Sequence, residues 1–287
     1  MANETTSTSI ADVIYEEHIP GFLAGFRYGP DLSGMVPWIE NVPPGGGTDF
    51  RFPRANELAV PAGVKVESTG VFDNVQFTTD HELATSGVVG FTLDVSREAA
   101  YDNRAGIPRR ALEEALKSMR RRLNQDMLSR VVGASSGVGT DTTECSVDHV
   151  AACLAEFETQ NPEANEIAIV LHSGRQWADF IADAVTNAAS LMPTLAGDVL
   201  RATPGFKGMF MNAALFTSPH VAGDSDMLHG CITEMGQERS GLGIAVWQPT
   251  QVELEPAGGR YSDKWHVHAR FGTCRTGLPL TAIRSRD

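Results

Sequence analysis

The stretch Ile107–Gly133, IPRRALEEALKSMRRRLNQDMLSRVVG, does most to limit the folds open to this chain. Leu112, Leu116, Met119, Leu123 and Met127 recur at steps of four, three, four and four residues. That spacing draws one narrow apolar stripe down one side of a helix. Pro108 suits a first helical turn, where its missing N–H costs nothing. Glu113 stands four residues before Lys117, the favourable order for a helical ion pair. The glutamates come early and Arg120, Arg121, Arg122 and Arg130 later, in accord with the helix dipole. Gly133 is placed to stop the helix. Roughly 25 residues at about 1.5 Å each make a rod of about 37 Å. A rod with one thin apolar seam lies on something rather than at the centre of a core. Its charged flanks remain for other subunits, and we read it as a structural spine.

The remaining composition sets outer bounds. At 287 residues the chain suffices for one large domain or two small ones. No apolar run approaches the ~18 residues of a membrane span, and MANETTSTSIADV lacks the basic-then-apolar order of a signal peptide. A formal net charge of −13 argues against tight binding to nucleic-acid phosphates. It is compatible with a shell around nucleic acid, whose acidic inner wall would let DNA slide. Cys145, Cys153, Cys231 and Cys274 form no CxxC pair, so free thiols are expected rather than a disulfide framework.

Along the chain, Ser9 can cap a short helix carrying Ile10, Val13 and Ile14. After His18-Ile19-Pro20-Gly21 a second apolar patch follows (Phe22, Leu23, Phe26, Tyr28). This segment is either an arm that packs elsewhere in an assembly or a helix of the chain's own core. Pro43-Pro44-Gly45-Gly46-Gly47 is the clearest break. DFRFPR (49–54) alternates like a strand, with Pro53 marking an edge. Val64, Val66, Val71 and Phe72 begin a return path, which predicts a projecting hairpin. Two isolated strands are marginal in water, so the hairpin should lie on a neighbour. Residues 75–95 read as strand. Past the spine, Ser146 caps a helix with Val147, Val150, Ala151, Leu154 and Phe157 on one side. IAIVLH (167–172) reads as a buried strand. Ser173 caps a helix with Trp177, Phe180 and Ile181 inward. SDKWHVHARFGTCRTGLPLTAI is a long strand and then a short one. The last strand is expected to pair back with the strand before the spine, giving one discontinuous α+β domain with an α/β unit inserted.

Several partial motifs fail on context. Gly133-Ala134-Ser135-Ser136-Gly137 fits G-x-S-x-G, but a nucleophile elbow needs a strand before the serine and a helix after it. Here a helix precedes Ser135 and a loop follows. Gly133–Thr140 resembles a phosphate loop without its lysine. His81-Glu82 opens an H-E-x-x-H pattern in which Thr85 replaces the second histidine. His266 and His268 share one face of a strand, with Trp265, Val267, Ala269 and Phe271 on the other. That is the pattern of a half-exposed strand, and no third metal ligand can be named. No catalytic, cofactor-binding or metal-binding residue is assigned.

The order of elements resembles the major capsid protein of tailed bacteriophages, the Hong Kong 97-like fold. Met1–Glu40 resembles that family's N-terminal arm, and DFRFPR through Val75 its extended β-hairpin, the E-loop. VSREA (Val95–Ala99) resembles the turn that leads from the peripheral strand into the spine helix. IAIVLHSGRQWADF resembles the strand-to-helix step of the axial domain, and TSPHVA (Thr217–Ala222) a turn before the later axial strands. KWHVHARFGTCRTGLPLTAI resembles the closing strands. The resemblance implies an arm at 1–40, an E-loop at 41–76, and a peripheral domain at 77–133 with its spine helix over 108–132. It further implies an inserted α/β axial domain at 134–259 and closing peripheral strands at 260–287. It implies a non-enzymatic structural protein of the virion that self-assembles, in the bacterial host cytoplasm, into hexamers and pentamers of an icosahedral capsid. That shell would enclose double-stranded DNA without sequence-specific binding, with no membrane and no cofactor. An encapsulin-type nanocompartment shell is the same-fold alternative, and a serine hydrolase using Ser135 the alternative from another class.

Two departures from the family pattern carry expectations. The capsid-like pattern begins within the first ~40 residues, so a scaffolding protein would be separate or not needed, alongside separate portal and decoration proteins. Some members crosslink a hairpin lysine to a peripheral asparagine. Lys65 lies in the hairpin, but no asparagine follows Asn212, so no such crosslink is expected.

Overall fold

The computed structural model describes residues 36–55, 79–96, 107–134, 136–187, 205–224, 226–236, 238–255 and 262–287. The arm's Ser9-capped helix and the return path at Val64–Phe72 lie outside them. The spine is present as α1, Ile107–Ser129, continued by a 3₁₀ turn over Arg130–Gly133. Its apolar stripe serves two masters. Leu112, Ala115, Leu116 and Met119 pack on Val252, Trp265, Val267, Ala269 and Phe271. Met127, Leu128 and Val131 enter a second core with Ala168, Val170, Phe216, Leu242 and Ala282. Leu123 touches both. The seam therefore fastens one rod across two sheets.

Two details of the spine differ from expectation. Gly133 does not take a left-handed conformation. The helix tightens to 3₁₀ instead, and Ala134 turns extended at φ −62°, ψ 133°. The Gly133 carbonyl is met by the Arg275 guanidinium, so a tertiary donor replaces a glycine cap. Lys117 pairs with Glu114 at 2.6 Å rather than with Glu113. Both partners are more than half exposed, so solvent screens the pair and it adds little to stability.

The first sheet runs in the order β1 (Trp38–Asn41), β11 (Leu242–Glu255), β12 (Ser262–Arg275), β4 (Gly87–Ser96). β12 thus closes against the strand before the spine, as expected, through Phe271↔Gly87 to Ser262↔Ser96. Trp265, Val267, Ala269 and Phe271 are buried under α1, and the alternate residues face away.

The second sheet is built from β5 (Ser136–Val138), β13 (Leu280–Arg286), β10 (Met227–Glu234), β6 (Ile167–His172), β8 (Ala213–Ser218) and β7 (Phe206–Phe210), in that order. A short β9 (Gly223–Asp224) pairs with β10. β13 pairs with β10 and β5. This corrects the expectation that the last strand returns to the peripheral sheet: only β12 does. IAIVLH is apolar throughout because β6 is covered on both faces. Ala168 and Val170 meet the spine's end. Ile167, Ile169 and Leu171 meet helices α2 (Val147–Gln160) and α3 (Arg175–Asn187). The Ser146 side chain caps α2 by accepting from His149 N at 3.1 Å, a bond of about 1 kcal/mol. α3 is capped by His172, whose Nδ1 accepts from Arg175 N at 3.2 Å, and not by Ser173. Gln176, fully buried, ties α3 to the sheet. Its Oε1 accepts from His172 N, and its Nε2 donates towards Leu228 O, Ile283 O and Ser285 Oγ.

The strand expected over 75–95 is two strands. β3 (Thr79–Thr85) pairs with β2 (Asp49–Ala55) in a separate two-stranded ribbon, and β4 joins the first sheet. The break is Ser86, whose N–H donates to Thr48 O and whose Oγ accepts from Arg270. Paired ribbon therefore runs to Thr85, opposite Asp49.

Candidate interaction surface

Among the described residues, those that could carry chemistry are not assembled into a reactive site. Ser135 lies outside the described residues. It is preceded by a 3₁₀ turn and followed by β5, so the strand–serine–helix order of an elbow is missing. His81 and Glu82 sit on β3, in the ribbon. His266 lies between Thr92 Oγ1 (2.9 Å) and Glu255 Oε2 (3.0 Å). His268 lies between Gln248 Nε2 (3.3 Å) and Glu253 Oε1 (3.7 Å). These are cross-strand polar pairs on the sheet face away from α1. Among the described residues no three ligand side chains converge on a metal position. The four cysteines are free and buried. Burial pushes the thiols of Cys153, Cys231 and Cys274 up to about 12, and Cys145 higher still, so none is a ready nucleophile.

What the fold does present is a separate two-stranded ribbon and broad charged faces. The ribbon is held at its root by Phe52, fully buried among Trp38, Val42, Ala84, Ala245 and Cys274. The Trp38 and Phe50 rings meet Phe52 edge-on, each at 5.0 Å. Two glycines in the first sheet make room. A Cβ on Gly243 would lie 2.9 Å from the Phe52 ring, and one on Gly272 would strike the Thr85 carbonyl. Trp247 Nε1 donates to Gly47 O at 2.9 Å, closing the turn that leads into the ribbon. The expectation that the hairpin leans on a neighbour is thus modified. Its root leans on its own sheet, while Arg51 and Leu83 face solvent, Leu83 half exposed. Val88, at the sheet edge next to this root, is 73% exposed. Sequence reasoning missed Gly243 and Gly272. The only signal was a glycine within each of two long strands, which marks a close backbone approach.

No protein-family model matches the sequence, and no curated protein matches it. Solved structures do. The chain is similar to the capsid protein of Helicobacter pylori bacteriophage KHP30, with TM-score 0.64 and 11% identity over 91% of this chain and 90% of that one. It is similar to the capsid of Ralstonia phage GP4, with TM-score 0.62 and 11% identity over 88% and 87%. The SrpI encapsulin of Synechococcus elongatus PCC 7942 matches with TM-score 0.61 and 13% identity over 86% and 84%. The chain has the phage capsid fold, an α+β architecture that these structures extend to an encapsulin. At these identities the likeness is one of fold.

Proposed function

We propose that this chain is a major capsid protein of a tailed phage, a structural tile without enzymatic activity. Copies would form hexamers and pentamers of an icosahedral head that encloses double-stranded DNA. The observation that carries this reading is the match of fold across nine-tenths of both this chain and a phage capsid chain. A limb rooted at Phe52, with its outward side exposed, supports it, since such a limb gains stability by lying on a neighbour. In this reading the chain before β1 is an arm, and the β2–β3 ribbon is the root of the E-loop. The spine and first sheet are the peripheral domain, and the second sheet with α2 and α3 is the axial domain. Portal and decoration proteins would be its partners in the head. The particle would assemble in the bacterial cytoplasm and be released as part of the virion.

The encapsulin likeness supports a second reading, a nanocompartment that houses cargo protein, because its TM-score of 0.61 equals that of the head of Helicobacter pylori bacteriophage KHP40. Expression of the chain followed by light scattering and negative-stain microscopy tests both. Closed particles or ring-shaped capsomers are expected, and a monodisperse monomer at high concentration refutes both. Nuclease-protected DNA in particles from infected cells favours the virion, and a stoichiometric enzyme in DNA-free particles favours the nanocompartment.

A further inference from the structure

Charge is distributed along this chain in two opposed blocks. Ile107–Gly133 holds six arginines and one lysine against two glutamates and one aspartate, a net of +4, so the rest of the chain carries −17 to reach the total of −13. The next 44 residues, from 131 to 174, contain seven carboxylates and no lysine or arginine. Arg110, Glu114, Lys117 and Arg121 recur at steps of four, three and four, directly opposite the buried seam, and all are exposed. Lys117 and Arg122 are engaged by Glu114 and Asp126 of the same helix. Arg110 makes no hydrogen bond or ion pair with a described residue, and Arg121 feels only the longer-range attraction of Glu114 on the same face of the helix. On α2 and the loop after it, Asp148, Glu156, Glu158, Glu163 and Glu166 are likewise exposed.

The fold keeps these blocks apart within one copy. The end of α1 packs on the face of the second sheet formed by Ala168, Val170, Ala214 and Phe216. α2 packs on the opposite face, against Ile169, Leu171 and Leu215. The sheet stands between them, and each charged face looks away from it.

We propose that the basic outer face of α1, centred on Arg110 and Arg121, docks on the acidic α2 face of a second copy of this chain. The inference rests on the self-assembly reading above and names a contact within it. Two different, complementary surfaces on one chain make a heterologous, head-to-tail contact, which closes into rings or extends into arrays rather than stopping at a two-fold dimer. Each exposed ion pair is weak, but repetition around a closed assembly multiplies the effect. The contact is sensitive to salt, because the screening length falls from about 10 Å at 0.1 M to about 3 Å at 1 M.

The test is charge reversal with reciprocal rescue, read as the assembled fraction by sedimentation in 0.1 M and 1 M salt. Arg110→Glu with Arg121→Glu is one variant, and Glu156→Lys with Glu158→Lys the other. New lysines near the end of α2 suit its dipole, and circular dichroism confirms that each variant is folded. Each reversal is expected to cut assembly at least tenfold at 0.1 M salt, and equimolar mixing of the two variants is expected to restore it. Wild-type assembly that is indifferent to salt, or variants that assemble normally, overturns this contact and leaves the shell reading standing. A wild type that stays monomeric refutes the shell reading and this contact with it. Spine variants that assemble normally but lose particle-associated nucleic acid also overturn it, and assign the basic face to a polyanion.

Discussion

Replacing Phe52 with alanine tests whether the ribbon is held by its own subunit. Phe52 is fully buried and contributes the largest completely buried side chain of the small core at the ribbon's root. Truncating a buried phenylalanine costs about 3–5 kcal/mol, including the cavity it leaves. The two edge-on contacts, to Trp38 and Phe50, fall within that figure. This core is separate from those under the spine and between the sheets, which share no residue with it. The loss should therefore fall on ribbon docking. At 1.4 kcal/mol per factor of ten, the undocked population rises by roughly 10²- to 4 × 10³-fold. Hydrogen exchange with mass spectrometry reads this directly in the dissociated subunit. Peptides covering Asp49–Ala55 and Thr79–Thr85 should exchange faster by that factor. Peptides covering Ile167–His172 and Met227–Glu234 should not change. Equal acceleration everywhere would mean that the ribbon core is one with the main core. Unchanged ribbon exchange would mean that Phe52 holds nothing. Leu83→Ala, half exposed on the ribbon's other side, is the control and should leave exchange unaltered.

Gln176→Leu should destabilise the subunit by about 2–4 kcal/mol, because it strands buried polar groups on His172, Ile283 and Ser285. A drop in the calorimetric Tm with unchanged particle morphology is expected, and an unaltered Tm would show that water replaces the amide. The buried cysteines should resist a disulfide reagent at pH 8 and react only on unfolding; rapid labelling of any one in the native state would contradict the packing. Their folded thiols titrate near or above 12, against about 8.5 in an unfolded chain. The unfolded state then binds fewer protons, so stability should fall as pH rises from about 9 towards 12. A slope reduced by about half in a Cys153→Ala, Cys231→Ala variant, which keeps Cys145 and Cys274, checks the assignment. Particles should dissolve in SDS to a single 30.9 kDa band, since no asparagine follows Asn212 to receive a crosslink; a ladder of linked rings would contradict this.

Residues whose environment is set locally were legible from the chain alone. The five-residue stripe of α1, the Ser146 cap and the two-faced burial of IAIVLH follow from side-chain period and capping chemistry, and all three are present. The ordered set of elements also carried the likeness to capsid proteins, which overall fold similarity then supported. Choices among competing partners were not legible. Lys117 had glutamates three and four residues away and took the nearer. Arg175 N had Ser173 and His172 within reach and took the imidazole.

Which segments become helix or strand, and which sides of them avoid water, is settled locally, because those properties depend on a residue and its near neighbours. Tertiary structure decided where one continuous β-forming run divides at Ser86, and which sheet receives β13. It also decided that a helix with one seam would span two cores. A strand's backbone groups are satisfied equally well by any suitable edge, so the choice of edge belongs to the packing of the whole chain.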